Sequence, residues 1–79
     1  MNLSIAWFSI LREQAGCSEE SVETSAITAS ELYGQMRAKH RFTLAQGSLR
    51  VAINDEFAQW DDRLAPGDRV VFIAPVGGG

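Results

Sequence analysis

Two stretches of this chain are apolar at nearly every position, and they stand at its opposite ends: residues 3–11, Leu-Ser-Ile-Ala-Trp-Phe-Ser-Ile-Leu, and residues 69–76, Arg-Val-Val-Phe-Ile-Ala-Pro-Val. A strand with one wet face alternates apolar and polar residues, whereas a strand apolar throughout needs cover on both faces. The two segments are therefore expected at the centre of one sheet. Within the first, Ile5 and Trp7 fall on one face and Ala6, Phe8 and Ile10 on the other. A chain of 79 residues holds one core and no second lobe, so a small number of further elements must supply the cover.

Those elements can be read in order. Residues 12–16 break the first apolar run with polar side chains and Gly16, and Ser21-Val22-Glu23-Thr24 resumes a β pattern, which suggests a hairpin with a long, partly helical turn. Thr28-Ala29-Ser30-Glu31 has the form of a capping box, in which hydroxyl and carboxylate each satisfy a backbone donor of the other residue. A helix starts there. Ala29, Leu32, Tyr33 and Met36 follow at helical spacing as one apolar stripe, while Glu31, Gln35, Arg37 and Lys39 fall on the wet side. Gly34 inside this helix costs about 1 kcal/mol relative to alanine.

After a loop over 41–48, residues 49–53 alternate as a strand, Asn54-Asp55 supplies a turn, 56–60 make a short return strand, and Pro66-Gly67 turns the chain into a last strand over 69–74. The order is β-β-α-β-β-β. Two hairpins flanking one helix predict an α+β fold of the β-grasp kind, a mixed sheet wrapped on one main helix, with the first and last strands parallel and adjacent. The domain is expected over 1–76, with 77–79 as a flexible glycine tail.

Charge and composition narrow the function classes. With 46% apolar residues and a net charge of −3, the chain reads as globular, and its six arginines and single Lys39 are scattered rather than clustered, which argues against nucleic acid as a partner. The run Glu19, Glu20 and Glu23 suggests docking on a basic protein surface. One cysteine, Cys17, gives no disulfide framework and no zinc-ligand pair, in keeping with a reducing cytosol, so a cytoplasmic location is expected. Neither a secretory leader nor an apolar run of membrane-spanning length is apparent, and a protein neither exported nor inserted is expected.

A self-contained active site is not apparent. His40 reads as a cation at the helix C-terminus, Cys17 as a structural thiol, and Asp61-Asp62 as capping or solvated carboxylates. No glycine-rich loop precedes a helix. The reactive feature is the terminal Gly77-Gly78-Gly79, since glycine tolerates almost any φ and lets backbone thread narrow channels. Extended from Pro75, the last residues reach roughly 17 Å, enough to enter another protein's active site.

The whole chain resembles the small, ubiquitin-like sulfur-carrier subunits of molybdopterin synthase, the MoaD type. The resemblance rests on Trp7-Phe8-Ser9-Ile10-Leu11-Arg12-Glu13 with Gly16, on Val51-Ala52-Ile53-Asn54, on Leu64-Ala65-Pro66-Gly67-Asp68-Arg69-Val70, and on Pro75-Val76 with the glycyl end. Ala74 stands where that family often has a proline, and Gly77 where many members carry a small side chain. The resemblance implies that the Gly79 carboxylate is adenylated by a ubiquitin-activating-like adenylyltransferase that uses ATP. A sulfur donor protein then converts it to a thiocarboxylate. The sulfur passes to cyclic pyranopterin monophosphate in the large subunit of a heterotetrameric molybdopterin synthase, with no cofactor or metal bound by the carrier itself.

By the same resemblance, Phe8, Phe57 and Ile73 are expected to form an exposed apolar contact for the large subunit beside the tail, and Arg12 a polar one. Ordering the three glycines costs about 3–6 kcal/mol at roughly 1–2 per residue, which burial of those side chains at about 1.5–3 kcal/mol each can offset. Other readings share the glycyl end: a sulfur carrier for thiamine thiazole or tRNA thiolation, a ubiquitin-like module that only binds partners, or a conjugated modifier.

Overall fold

The structure, a computed structural model, describes residues 1–75. The expected domain boundary at 76 and the tail residues Gly77, Gly78 and Gly79 lie outside the described residues. The elements are β1 (Asn2–Ala6), α1 (Ser9–Ala15), β2 (Glu19–Glu23), α2 (Ala29–His40), a 3-10 turn (Gln46–Ser48), β3 (Arg50–Ile53), β4 (Glu56–Ala58) and β5 (Arg69–Ile73). The five strands form one sheet in the order β2-β1-β5-β3-β4. Only the β1–β5 pair is parallel, with Ile5 opposite Val70 and Ala6 opposite Val71. The two most uniformly apolar segments thus lie side by side at the centre, as their patterning requires.

The first apolar run differs from expectation. It is not one strand to residue 11: β1 stops at Ala6, and Ser9 starts α1 with φ of 52°. That left-handed backbone turns the chain into a helix, from which Leu11 is fully buried and Ile10 stays exposed. A short apolar run has no period that separates a buried strand from a buried helical turn. Gly16, with φ of 78°, closes α1 as its left-handed cap.

The second helix follows its code. Thr28 Oγ1 accepts from Glu31 N, Glu31 Oε1 accepts from Thr28 N, and Ala29, Leu32, Tyr33 and Met36 are buried against the sheet. Above that face Trp7 stacks on Phe72 at 5.6 Å, Trp60 stacks on Phe72 at 5.9 Å, and Phe42 edges onto Trp7 at 4.9 Å. The Tyr33 hydroxyl donates to the Leu44 carbonyl at 2.6 Å, so its burial leaves no orphan polar group.

Turn chemistry sets the remaining connections. Asn54 and Asp55, at φ of 52° and 70°, form the tight two-residue turn from β3 to β4. Gly67, at φ of 84°, follows Pro66 in a turn closed by Asp68 N donating to Ala65 O at 3.1 Å. Among the described residues, no helix is long and apolar enough to cross a membrane.

Candidate functional site

The sheet has a second face, turned away from α2. Strand register puts Glu19 of β2, Ala6 of β1, Val71 of β5, Ala52 of β3 and Phe57 of β4 in one continuous cross-strand row on it. Ala6, Ala52 and Val71 form a small buried cluster of their own, with Ile73 packed against it. Short side chains keep this row flat. Two large apolar groups stand at its rims: Phe57 is 68% exposed and Phe8 50% exposed, while Ile73 is half-buried.

Parallel pairing explains why Phe8 and Ile73 belong together. Ala6 sits opposite Val71, so the register carried two residues on brings Phe8 level with Ile73, and the intervening Trp7 and Phe72 stack on the core side. Phe8 has extended backbone, φ −134° and ψ 159°, immediately before the turn at Ser9. Ile73 ends β5, with Ala74 and Pro75 following. Phe8 and Ile73 therefore lie on this face at the end where β5 runs out, Phe57 lies on β4 in the preceding row, level with Ala52 and Val71, and Arg12 is exposed on the adjoining α1.

One residue of this face was not singled out from the sequence. Arg50, directly cross-strand from Ile73, holds its guanidinium 5.3 Å over the Phe57 ring. The alternation of residues 49–53 already puts Arg50 and Ala52 on the face opposite Leu49 and Val51, and that was the available signal.

The acidic run does not behave as a free docking strip. Glu20 points inward from β2 and accepts Trp7 Nε1 at 2.7 Å, Lys39 Nζ at 2.9 Å and His40 Nε2 at 2.5 Å. Burial pushes its carboxyl up, but hydrogen bonds from Lys39, Trp7 and His40, together with the charge of His40, outweigh it and hold it below the usual carboxylate range. Glu23 pairs with the Met1 ammonium at 3.2 Å. Only Glu19 of the three has no ion-pair or hydrogen-bond partner for its carboxylate among the described residues. His40 does end α2, as the sequence suggests, and is in addition bonded to Glu20 across the fold.

The other candidates are structural. Cys17 is half-buried and packs on the core, and Asp62 accepts Gln59 N at 3.0 Å in a turn. Among the described residues no cluster of His, Cys, Asp and Glu could hold a metal. What these residues bring together is an apolar, flat sheet face beside the end of the central strand, which suits protein contact rather than chemistry on a small molecule.

A parallel β1–β5 pair at the centre of a mixed five-stranded sheet with one long helix across it defines the ubiquitin-like β-grasp fold. The chain belongs to the ThiS family, whose model matches residues 5–79. No curated protein matches it. Among solved structures it is similar to molybdopterin converting factor, subunit 1, of Pyrococcus furiosus, at 23% identity and a TM-score of 0.81 over 96% of this chain and 99% of that one. It is also similar to the small archaeal modifier protein 1 of Methanosarcina acetivorans, at 21% identity and a TM-score of 0.81 over 99% and 96%. A third likeness is to a chain in the complex of subunits 1 and 2 of the molybdopterin-converting factor of Helicobacter pylori, at 21% identity and a TM-score of 0.69 over the full length of both. At these identities the likenesses show the fold.

Proposed function

We propose that this protein is the sulfur carrier of a molybdopterin synthase. The Gly79 carboxylate attacks the α-phosphate of ATP in an activating enzyme, releasing pyrophosphate and leaving an acyl-adenylate. Sulfur from a donor protein displaces AMP. The resulting thiocarboxylate enters the large subunit and gives its sulfur to cyclic pyranopterin monophosphate, and hydrolysis returns the carboxylate. Adenylation is needed because a carboxylate anion is a poor electrophile and lacks a leaving group.

The observation that carries this reading is the outer-face set of exposed Phe8 and Phe57 with half-buried Ile73, the last of which ends β5 six residues before Gly79 in the chain. Surface of this kind on a small domain marks a protein contact, and its position suits a partner that receives the terminus. The two-subunit assembly of the similar Helicobacter pylori factor supports the choice of a large subunit as that partner, and Arg12, exposed on α1, is assigned a polar contact by the same reading.

A different acceptor, thiazole or a tRNA uridine, is the second reading of the same carrier, compatible with the ThiS family match, and modification of proteins is suggested by the likeness to a small archaeal modifier. Both keep the activated glycyl end and change what receives it.

Intact-mass analysis after incubation with ATP, the activating enzyme and a sulfur donor tests the carrier. The mass shifts by the difference between sulfur and oxygen in the full chain and stays unchanged in a chain lacking Gly79. An unshifted full chain rules the carrier out. Binding to the molybdopterin synthase large subunit then separates the pterin acceptor from the others.

A further inference from the structure

The outer face carries charge as well as apolar area, and its two unengaged charges have opposite signs at opposite sides. Arg50 lies on β3 beside β4; Glu19 lies on β2. Between them run β1 and β5, so three strand spacings of about 4.8 Å separate the two by about 14 Å across the sheet. Neither side chain has an ion-pair partner among the described residues, whereas Arg69, the other cation on this face, is paired with Asp55 at 3.4 Å.

Each charge is presented rather than loose. The Phe57 ring beneath the Arg50 guanidinium limits its rotamers while leaving the residue exposed, which lowers the entropy lost when a planar carboxylate docks on it. Beside Glu19 the small side chains of Ser4, Ala6 and Ser21 floor a depression of about 410 Å³ that Arg69, itself paired with Asp55, also lines, which leaves Glu19 as its exposed charge without an ion-pair partner among the described residues. The net charge of −3 pointed to a basic partner, yet at the end of β5 the face offers a cation.

We propose that Arg50 and Glu19 frame the apolar row as an oriented charge pair. The face takes a partner protein whose apolar patch carries a carboxylate opposite Arg50 and a cation opposite Glu19. This rests on the reading of the outer face as the docking surface and adds what sets the partner's orientation: the apolar row alone permits rotation about the face normal, and a mirrored pair of charges selects one rotation. Rim charges act mainly through association rate and salt dependence, because opposite fields steer encounter and are screened over about 8–10 Å.

The test measures association of the full-length chain with two probes, the molybdopterin synthase large subunit and the activating enzyme, across a salt series. Arg50→Gln should slow association about 5- to 10-fold at low salt, Glu19→Gln about 2- to 5-fold, and both should flatten the salt dependence while leaving the melting temperature unchanged. Arg50→Lys should recover the salt dependence but not the full affinity, since it keeps charge and loses the planar stack. Binding of Arg50→Gln and Glu19→Gln within twofold of the parent with unchanged salt slopes overturns the frame. If the parent binds the activating enzyme alone, the pterin acceptor fails while the frame is still scored; if it binds neither probe, the docking face fails too.

Discussion

The indole of Trp7 donates through Nε1 to Glu20 at 2.7 Å, so a fully buried aromatic residue of the core is fastened to a carboxylate on the neighbouring strand. Lys39 and His40 donate to the same carboxylate from the end of α2. One side chain thereby joins the β1–β2 hairpin to the main helix. The residue after Trp7 is Phe8, half exposed, so the clamp holds the backbone that carries it.

That clamp makes stability depend on pH in acid. The Glu20 carboxyl lies below the ordinary value in the folded state, so the folded chain binds the proton less readily than the unfolded one. The stabilisation is complete above the unfolded value near 4.3 and is lost as pH falls through the depressed folded value. Urea midpoints measured from pH 7 down to 2 should fall more steeply for the parent than for Glu20→Gln. Parallel curves would refute the assignment.

Replacing Glu20 by alanine at neutral pH leaves the Trp7 Nε1 donor buried and Lys39 and His40 without their shared partner. A cost of about 1.5–3 kcal/mol is expected, the range for hydrogen bonds to a charged group. Denaturant unfolding followed by tryptophan fluorescence reads it directly.

Gly34 sits in the middle of α2, and a Cβ built there meets nothing within 4 Å. Gly34→Ala should therefore stabilise the fold by about 1 kcal/mol, raising the melting temperature by about 4–8 °C in a domain of this size. No gain in a thermal melt would mean that the helix tolerates glycine for a reason the packing does not reveal.

Thr28→Ala removes the cap acceptor of Glu31 N and half of the reciprocal box. The expected loss is about 1 kcal/mol. Thr28→Ser, which keeps the oxygen, should lose much less in the same melt.

Phe57→Ala and Phe8→Ala separate folding from docking. Phe57 is mostly exposed and Phe8 half exposed, so each should change stability by only about 0.5 kcal/mol. Each should weaken large-subunit binding by about 2 kcal/mol if it is an anchor of the contact, roughly 30-fold in Kd. Calorimetric titration that finds full affinity in both variants would remove these residues from the interface.

What could be read from the residues was local. The capping box at Thr28 and Glu31, the stripe from Ala29 to Met36, and the turns at Asn54-Asp55 and Pro66-Gly67 depend on neighbours within a few positions, and all stand as expected. A partly helical turn after the first strand was legible, but the start of its helix at Ser9 was hidden, because nothing in the type of Ser9 announces a left-handed φ, and Ile10 and Leu11 are equally apolar in a strand or a helical turn. Glu20 read as one of three equivalent surface acids, because its three donors come from residues 13, 19 and 20 positions away.

By itself, then, the order of residues determined where the main helix and the turns begin, that the first and last strands belong at the centre of the sheet, and that glycines follow the last of them. Only the tertiary structure decided which acid is consumed inside and which remains outside, and that Phe8, Ile73, Arg50 and Phe57 share one face. The reason is physical. Caps and turns are satisfied by backbone groups close in sequence, whereas ion pairs and cross-strand rows exist only once the sheet has chosen its neighbours and register.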